Sequence, residues 1–238
     1  MNIYDCFMYY DEDLLLDLRL NTLNKYVKKF IITEATYAHN GSKKKLNFDI
    51  NQYKKFKNKI TYIVVNEPPP NILELVKDER KDKREEKLIL NGMARDYHQR
   101  ECLSKGIKEA NDDDLILISD LDEIPNLSSL NFSKINNKII LFEQKMFYYK
   151  LNLLYENFNW IGSKAVKKKN LISPQWLRNI KSKNYPKWRL DVLFSKKNIL
   201  IYFLLKKVGG TLLSLSLQSS LKKNFLVLHI TMNSKKVI

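Results

Sequence analysis

The chain has 238 residues, with 42 Lys and Arg against 26 Asp and Glu, for a formal net charge of +16. At 44% hydrophobic and 11% aromatic it can bury the core of one α/β domain, which excludes the disordered class. Cys6 and Cys102 are its two cysteines, too few for a disulfide framework, and a reducing compartment suits them.

Taken in chain order, Ile3 to Tyr10 reads as a first strand. Asp13 to Asn24 follows with leucines at helical spacing and predicts an amphipathic helix. Lys29 to Thr36 is a second strand, and the Asn40-Gly41 pair marks a turn in the loop after it. Ile60 to Val65 is a third strand, stopped by Glu67 and three prolines. From about Ile72 to Asn111 the chain is helical in character and heavily charged, and its dense run of mixed charge from Lys77 to Lys87 reads as a solvated helix face. Leu115 to Ser119 is a fourth strand and Lys138 to Leu151 a fifth. Strands alternating with helices predict an α/β fold with a mostly parallel sheet. Such sheets bind ligands at the carboxyl ends of their strands.

The excess positive charge is almost all lysine; the arginines are Arg19, Arg80, Arg84, Arg95, Arg100, Arg178 and Arg189. A chain rich in lysine, asparagine and isoleucine is what an AT-rich genome encodes, whatever the function. The functional readings of the charge are attraction to anionic lipid, to nucleic acid or to a diphosphate-bearing substrate. A nucleic-acid-binding protein would cluster arginines and aromatics on one face, and no such motif is present. The first residues lack the basic and apolar regions of a signal peptide. No apolar run approaches the ~20 residues that span a bilayer. The expected location is therefore cytoplasmic, or peripheral on the cytoplasmic membrane face.

Against this basic background, DDDLILISDLDEIP (112–125) sets acids on both sides of an apolar run. LILIS is continuous, as in a strand covered on both faces. Asp120, Asp122 and Glu123 come just as it ends, where oxygen ligands can collect Mn²⁺ or Mg²⁺. Such an ion offsets the charge of a bound diphosphate and stabilises it as a leaving group. Asp112 to Asp114 precede the strand and read as a loop at the opposite edge of the sheet.

Several ordered blocks resemble glycosyltransferase family 17, the β-1,4-mannosyl-glycoprotein 4-β-N-acetylglucosaminyltransferase family. They are Ile3 to Ala35, HNGSKKKLNF (39–48), Arg95 to Pro125 with SDLDEIP its most specific string, FYYKLN (147–152), and Trp160-Ile161-Gly162. The resemblance implies a GT-A-like fold over residues 1–195, UDP-GlcNAc as donor, and a Mn²⁺-binding Asp-x-Asp motif. It also implies a glycan acceptor, transfer with inversion, and a general base to take the acceptor proton. By position, Asp120, Asp122 and Glu123 serve metal and diphosphate. Asp5, Glu34 and Arg100 could contact the donor. Tyr148, Asn152 and Trp160 could form an acceptor wall, and Glu143 is the base candidate. Another nucleotide sugar, built into a surface polysaccharide, remains the alternative within the same chemistry.

Residues 196–238 depart from the family, which continues with a Gly-Trp-His-Phe segment and then a Ser-x-x-His-x-Glu-Phe-like one. Val208 to Leu212 can be encoded so that reading from the third base gives Gly-Trp-His-Phe. Phe225 to Ser234, read in the same shifted frame, can give a Ser- and His-containing segment ending in Glu-Phe. A frameshift after about residue 195, at a lysine pair such as Lys196-Lys197 or Lys206-Lys207, accounts for both. On this reading the tail is poorly ordered and the chain a weakened or inactive homologue. The competing reading is a basic, apolar tail that lies on membrane.

Overall fold

A computed structural model describes residues 1–130, 139–147, 153–180, 205–208, 213–217 and 226–230, the last three segments as backbone alone. The elements in order are β1 (Ile3–Met8), α1 (Asp13–Leu23), β2 (Lys29–Ala35), β3 (Ile60–Val65), α2 (Lys81–Glu101), α3 (Ser104–Ile107) and β4 (Leu115–Ile118). They continue with β5 (Glu123–Ile124), β6 (Ile139–Phe142), β7 (Gln144–Phe147), β8 (Leu154–Trp160), β9 (Lys164–Lys167) and α4 (Pro174–Asn179). Strands β10 (Leu205–Val208), β11 (Leu213–Leu217) and β12 (Leu226–Ile230) complete the series.

The main sheet has the order β10-β6-β9-β4-β1-β2-β3. All its pairings are parallel except the two made by β9. A second sheet runs β5-β11-β12-β7-β8, with antiparallel pairings. The α/β class and the mostly parallel sheet therefore agree with the sequence reading.

Alternation along the strands explains the layers. Leu115 and Leu117 of β4 join Ile3, Phe7, Phe30 and Ile32 in a cluster completed by the α1 leucines. Ile116 and Ile118 point the other way, into a cluster with Tyr4, Cys6, Ile31, Leu103 and Leu177. Each β4 side chain is buried, as an apolar run covered on both faces requires. Asp114, before β4, accepts from the backbone N–H of Asn2 at 2.7 Å and of Asn111 at 3.0 Å, joining the starts of β1 and β4. The acids at 112–114 thus lie at the edge opposite the ends of these strands.

Two expectations change. Residues 72–80 are not helical: the Asn91 side chain takes the backbone N–H of Leu73 and gives to its carbonyl, at 2.7 and 2.8 Å. That amide holds the chain at Leu73 out of a helix, and α2 begins only at Lys81. Of the predicted strand 138–151, the described residues 139–147 form two strands in different sheets, with Glu143 between them. The β6 quartet IILF is wholly buried, whereas QKMF of β7 is half-buried in its middle, so the two halves have different environments.

Candidate active site

The strand order reverses around β1, with β2 on one side and β4 on the other. This is the switch point where the loops after parallel strands part to leave a crevice. A cleft of about 250 Å³ opens there, lined by Glu12 after β1, His39 after β2, Asp120 and Asp122 after β4, and Asp96 and Arg100 of α2, among others.

The acidic loop is held from below by Arg19. This residue is fully buried on α1 and donates from Nε and Nη2 to both Asp5 oxygens, at 2.8 and 2.6 Å. Its Nη1 donates to the carbonyls of Asp120, Leu121 and Glu123, at 3.1, 3.1 and 2.7 Å. A buried guanidinium with a bidentate carboxylate partner is a rigid template. It fixes the backbone that carries the three acids.

Two more arginines hold Asp120. Arg100 Nη2 donates to Oδ1 at 3.1 Å, and Arg178 Nη2 donates to Oδ2. Burial works to raise the Asp120 pKa, but the fields of Arg178, Arg100 and Arg19 outweigh it and hold the carboxyl below its usual range. Arg178 also reaches both Glu123 oxygens, at 2.6 and 2.8 Å, and the Gly162 carbonyl at 2.6 Å. Glu123 completes its shell with the indole N–H of Trp160 at 2.6 Å and the backbone N–H of Asp120 at 3.0 Å. Gly162 allows this packing: a Cβ there would overlap the Glu123 carboxylate and the Trp160 indole nitrogen.

Asp122 is different. Its pKa is raised well above the ordinary value by burial and by the charges of Glu123 and Asp120, with Arg178 only partly offsetting them. Glu12 adds to the same field, and its own pKa is raised by burial. Arg100 keeps one donor, Nε, buried with no acceptor among the described residues. The cleft therefore joins a carboxyl crowded by other acids to the Arg100 guanidinium.

Of the residues expected at the site, Arg100, Asp120 and Asp122 line the cleft. Asp5 and Glu34 do not; both are fully buried. Asp5 is engaged by Arg19, while Glu34 holds the loop after β2 through Lys44, the N–H groups of Asn47 and Phe48, and the Tyr62 hydroxyl. Glu143 is half-buried between β6 and β7 and is not among the lining residues. Trp160 contacts Glu123, and Tyr148 and Asn152 lie outside the described residues. Arg19 and Arg178 carried no role in the sequence reading. Arg19 had a signal: it falls on the helical stripe of Leu15, Leu16, Leu20 and Leu23, where a charge must be paired. Arg178 had none, because its partners lie 55 and 58 positions away.

An α/β domain with a mostly parallel sheet and an acidic cleft at its switch point is an architecture that binds ligands outside the carboxyl ends of its strands. The sequence model of glycosyltransferase family 17 matches residues 1–176, and the chain belongs to that family. Comparison with curated proteins gave no match. Among the described residues no helix is long and apolar enough to cross a membrane.

Proposed function

We propose that the protein is an inverting N-acetylglucosaminyltransferase of GT-A type, transferring GlcNAc from UDP-GlcNAc to a mannose-containing or other glycan. The observation that carries this reading is the division of the acidic motif: Asp120 is matched by two arginines, while Asp122 faces the cleft crowded by Glu123 and Asp120, a setting in which a bound cation would favour its ionised form.

Among the described residues no group of three carboxylate, thiolate or imidazole side chains forms a metal cage. A hard divalent ion suits this arrangement nonetheless, since Mg²⁺-type sites use one or two carboxylates plus substrate phosphates. Asp122 would hold Mn²⁺ or Mg²⁺, with Asp120 beside it and Glu123 serving as the post that orients both. When bound, the ion offsets the diphosphate charge and supports UDP as leaving group. Arg100 supplies a guanidinium to the same anion. Glu143, the base candidate of the sequence reading, lies off the cleft lining. If it is the base, Glu143→Gln lowers turnover and spares donor affinity; unchanged turnover in Glu143→Gln removes it from that role.

The test is release of the nucleoside diphosphate (UDP, or GDP from GDP-Man) from a panel of UDP-GlcNAc, UDP-Glc, UDP-Gal and GDP-Man, with and without Mn²⁺. UDP-GlcNAc should turn over best, only with metal, and Asp122→Asn should abolish it. A different preferred donor selects the polysaccharide alternative, and metal-independent turnover rejects the role given to Asp122. Re-sequencing the DNA for residues 190–238 separates a frameshifted tail from one that is read as written. A single-base change restoring Gly-Trp-His-Phe assigns the activity to the repaired chain.

A further inference from the structure

We propose that Tyr155, Phe158 and Trp160 form a carbohydrate-stacking ladder that holds the acceptor glycan beyond the sugar that reacts; this rests on the glycosyltransferase reading above. The three rings lie on β8, the edge of the second sheet among the described strands. They are 46%, 38% and 36% exposed, high values for three neighbouring aromatics in one strand. Their centroids are 5.6 Å apart from Tyr155 to Phe158 and 6.4 Å from Phe158 to Trp160, with tilted planes.

Strict alternation would put Tyr155 on the opposite face from Phe158 and Trp160. An irregularity in the β7–β8 pairing prevents this. Lys145 pairs with Asn159 but Met146 pairs with Tyr155, so residues 156–158 are extra length on β8. Bulges next to active sites re-aim side chains, and this one brings Tyr155 beside Phe158. The inner end of the ladder is fixed by the hydrogen bond from Trp160 to Glu123, one residue from Asp122. The ladder is therefore tied at one end to the acidic loop and runs outward along the edge strand. Aromatic faces give large contact area at low conformational cost, and the C–H faces of pyranose rings are their natural partners. That chemistry, and the anchorage of Trp160 to the loop that carries Asp122, select a glycan of several sugars as the occupant.

The test uses the full chain with two probes, UDP with Mn²⁺ and a length series of β-1,4-linked GlcNAc and mannose oligosaccharides, with binding followed by calorimetry. Affinity should rise with oligosaccharide length. Phe158→Ala and Tyr155→Ala should each weaken the longer saccharides by roughly tenfold and leave UDP binding unchanged. Phe158→Tyr should restore binding. Equal saccharide affinity in wild type and variants overturns the ladder. So does UDP binding with no saccharide binding at all, and that outcome leaves the donor site standing. Saccharide binding that depends on the ladder without any UDP binding rejects the donor reading instead. A fall in sedimentation coefficient in Phe158→Ala, with saccharide binding intact, makes the ladder a contact between copies of the chain.

Discussion

Replacing Arg178 with methionine removes the one cation among the described residues that bonds both the Asp120 and the Glu123 carboxylates. The Arg178–Glu123 pair is buried, with side-chain exposures of 14% and 2%. Breaking such a pair by deleting one partner costs about 3–5 kcal/mol, because the other charge stays buried. The link to Asp120, whose side chain is 37% exposed, is screened and adds under about 1 kcal/mol. The expected loss at pH 7 is therefore about 4 kcal/mol, read by urea denaturation. The sign with pH follows from Asp120, whose lowered pKa stabilises the fold above its unfolded value of about 4 and ceases to do so as pH falls through the folded value. Arg178→Met removes that contribution, so its cost should shrink toward pH 3. Glu123→Gln should rescue part of the loss, with a coupling of about 2 kcal/mol in a double-mutant cycle. A loss below about 1 kcal/mol, or strict additivity with Glu123→Gln, would refute the clamp.

Gly162→Ala forces a methyl into the Glu123 carboxylate and the Trp160 indole. Glu123 is held in place by Arg178, Trp160 and the Asp120 N–H, so a loss of about 1–3 kcal/mol is expected; an unchanged melting midpoint would show that the packing relaxes freely. Asp122→Asn removes one of three acids crowded on a single turn. It should raise thermal stability near neutral pH while abolishing metal-dependent donor binding, and lower stability would contradict the crowding. His39 is hydrogen-bonded to Asp96 at 2.9 Å. That bond raises its pKa above 6.5, against the smaller opposing effect of burial. Its imidazole NMR signal should titrate above the ordinary range and return to it in Asp96→Asn. The small stability it contributes is present below about pH 6.5 and is lost as pH rises through the folded value; a flat titration shift across the two proteins would sink the assignment.

The local elements were legible because their causes are local. Ile60–Val65 matched its predicted strand to the residue, and α1 ended one residue early. The Asn40-Gly41 turn forms with Gly41 at φ 85°, the left-handed region glycine favours. The acidic loop was legible too, since acids directly after a buried strand in an α/β sheet can only emerge at its carboxyl end. The misread stretches are those where long-range partners override local pattern. Asn91 holds Leu73 out of a helix, and the break at Glu143 divides one β-rich run between two sheets.

The sequence by itself determined the family, the strand–helix alternation and the position of the acids, because hydrophobic period and motif order are carried by neighbours in the chain. It could not divide labour within the motif. Asp120, Asp122 and Glu123 look equivalent as letters. Only the fold brings Arg100 and Arg178 onto the first, leaves the second facing the cleft, and encloses the third between Arg178 and Trp160. The charge state of a carboxylate depends on what approaches it in space, and those cations come from α2 and α4, distant in sequence and adjacent only once the sheet has formed.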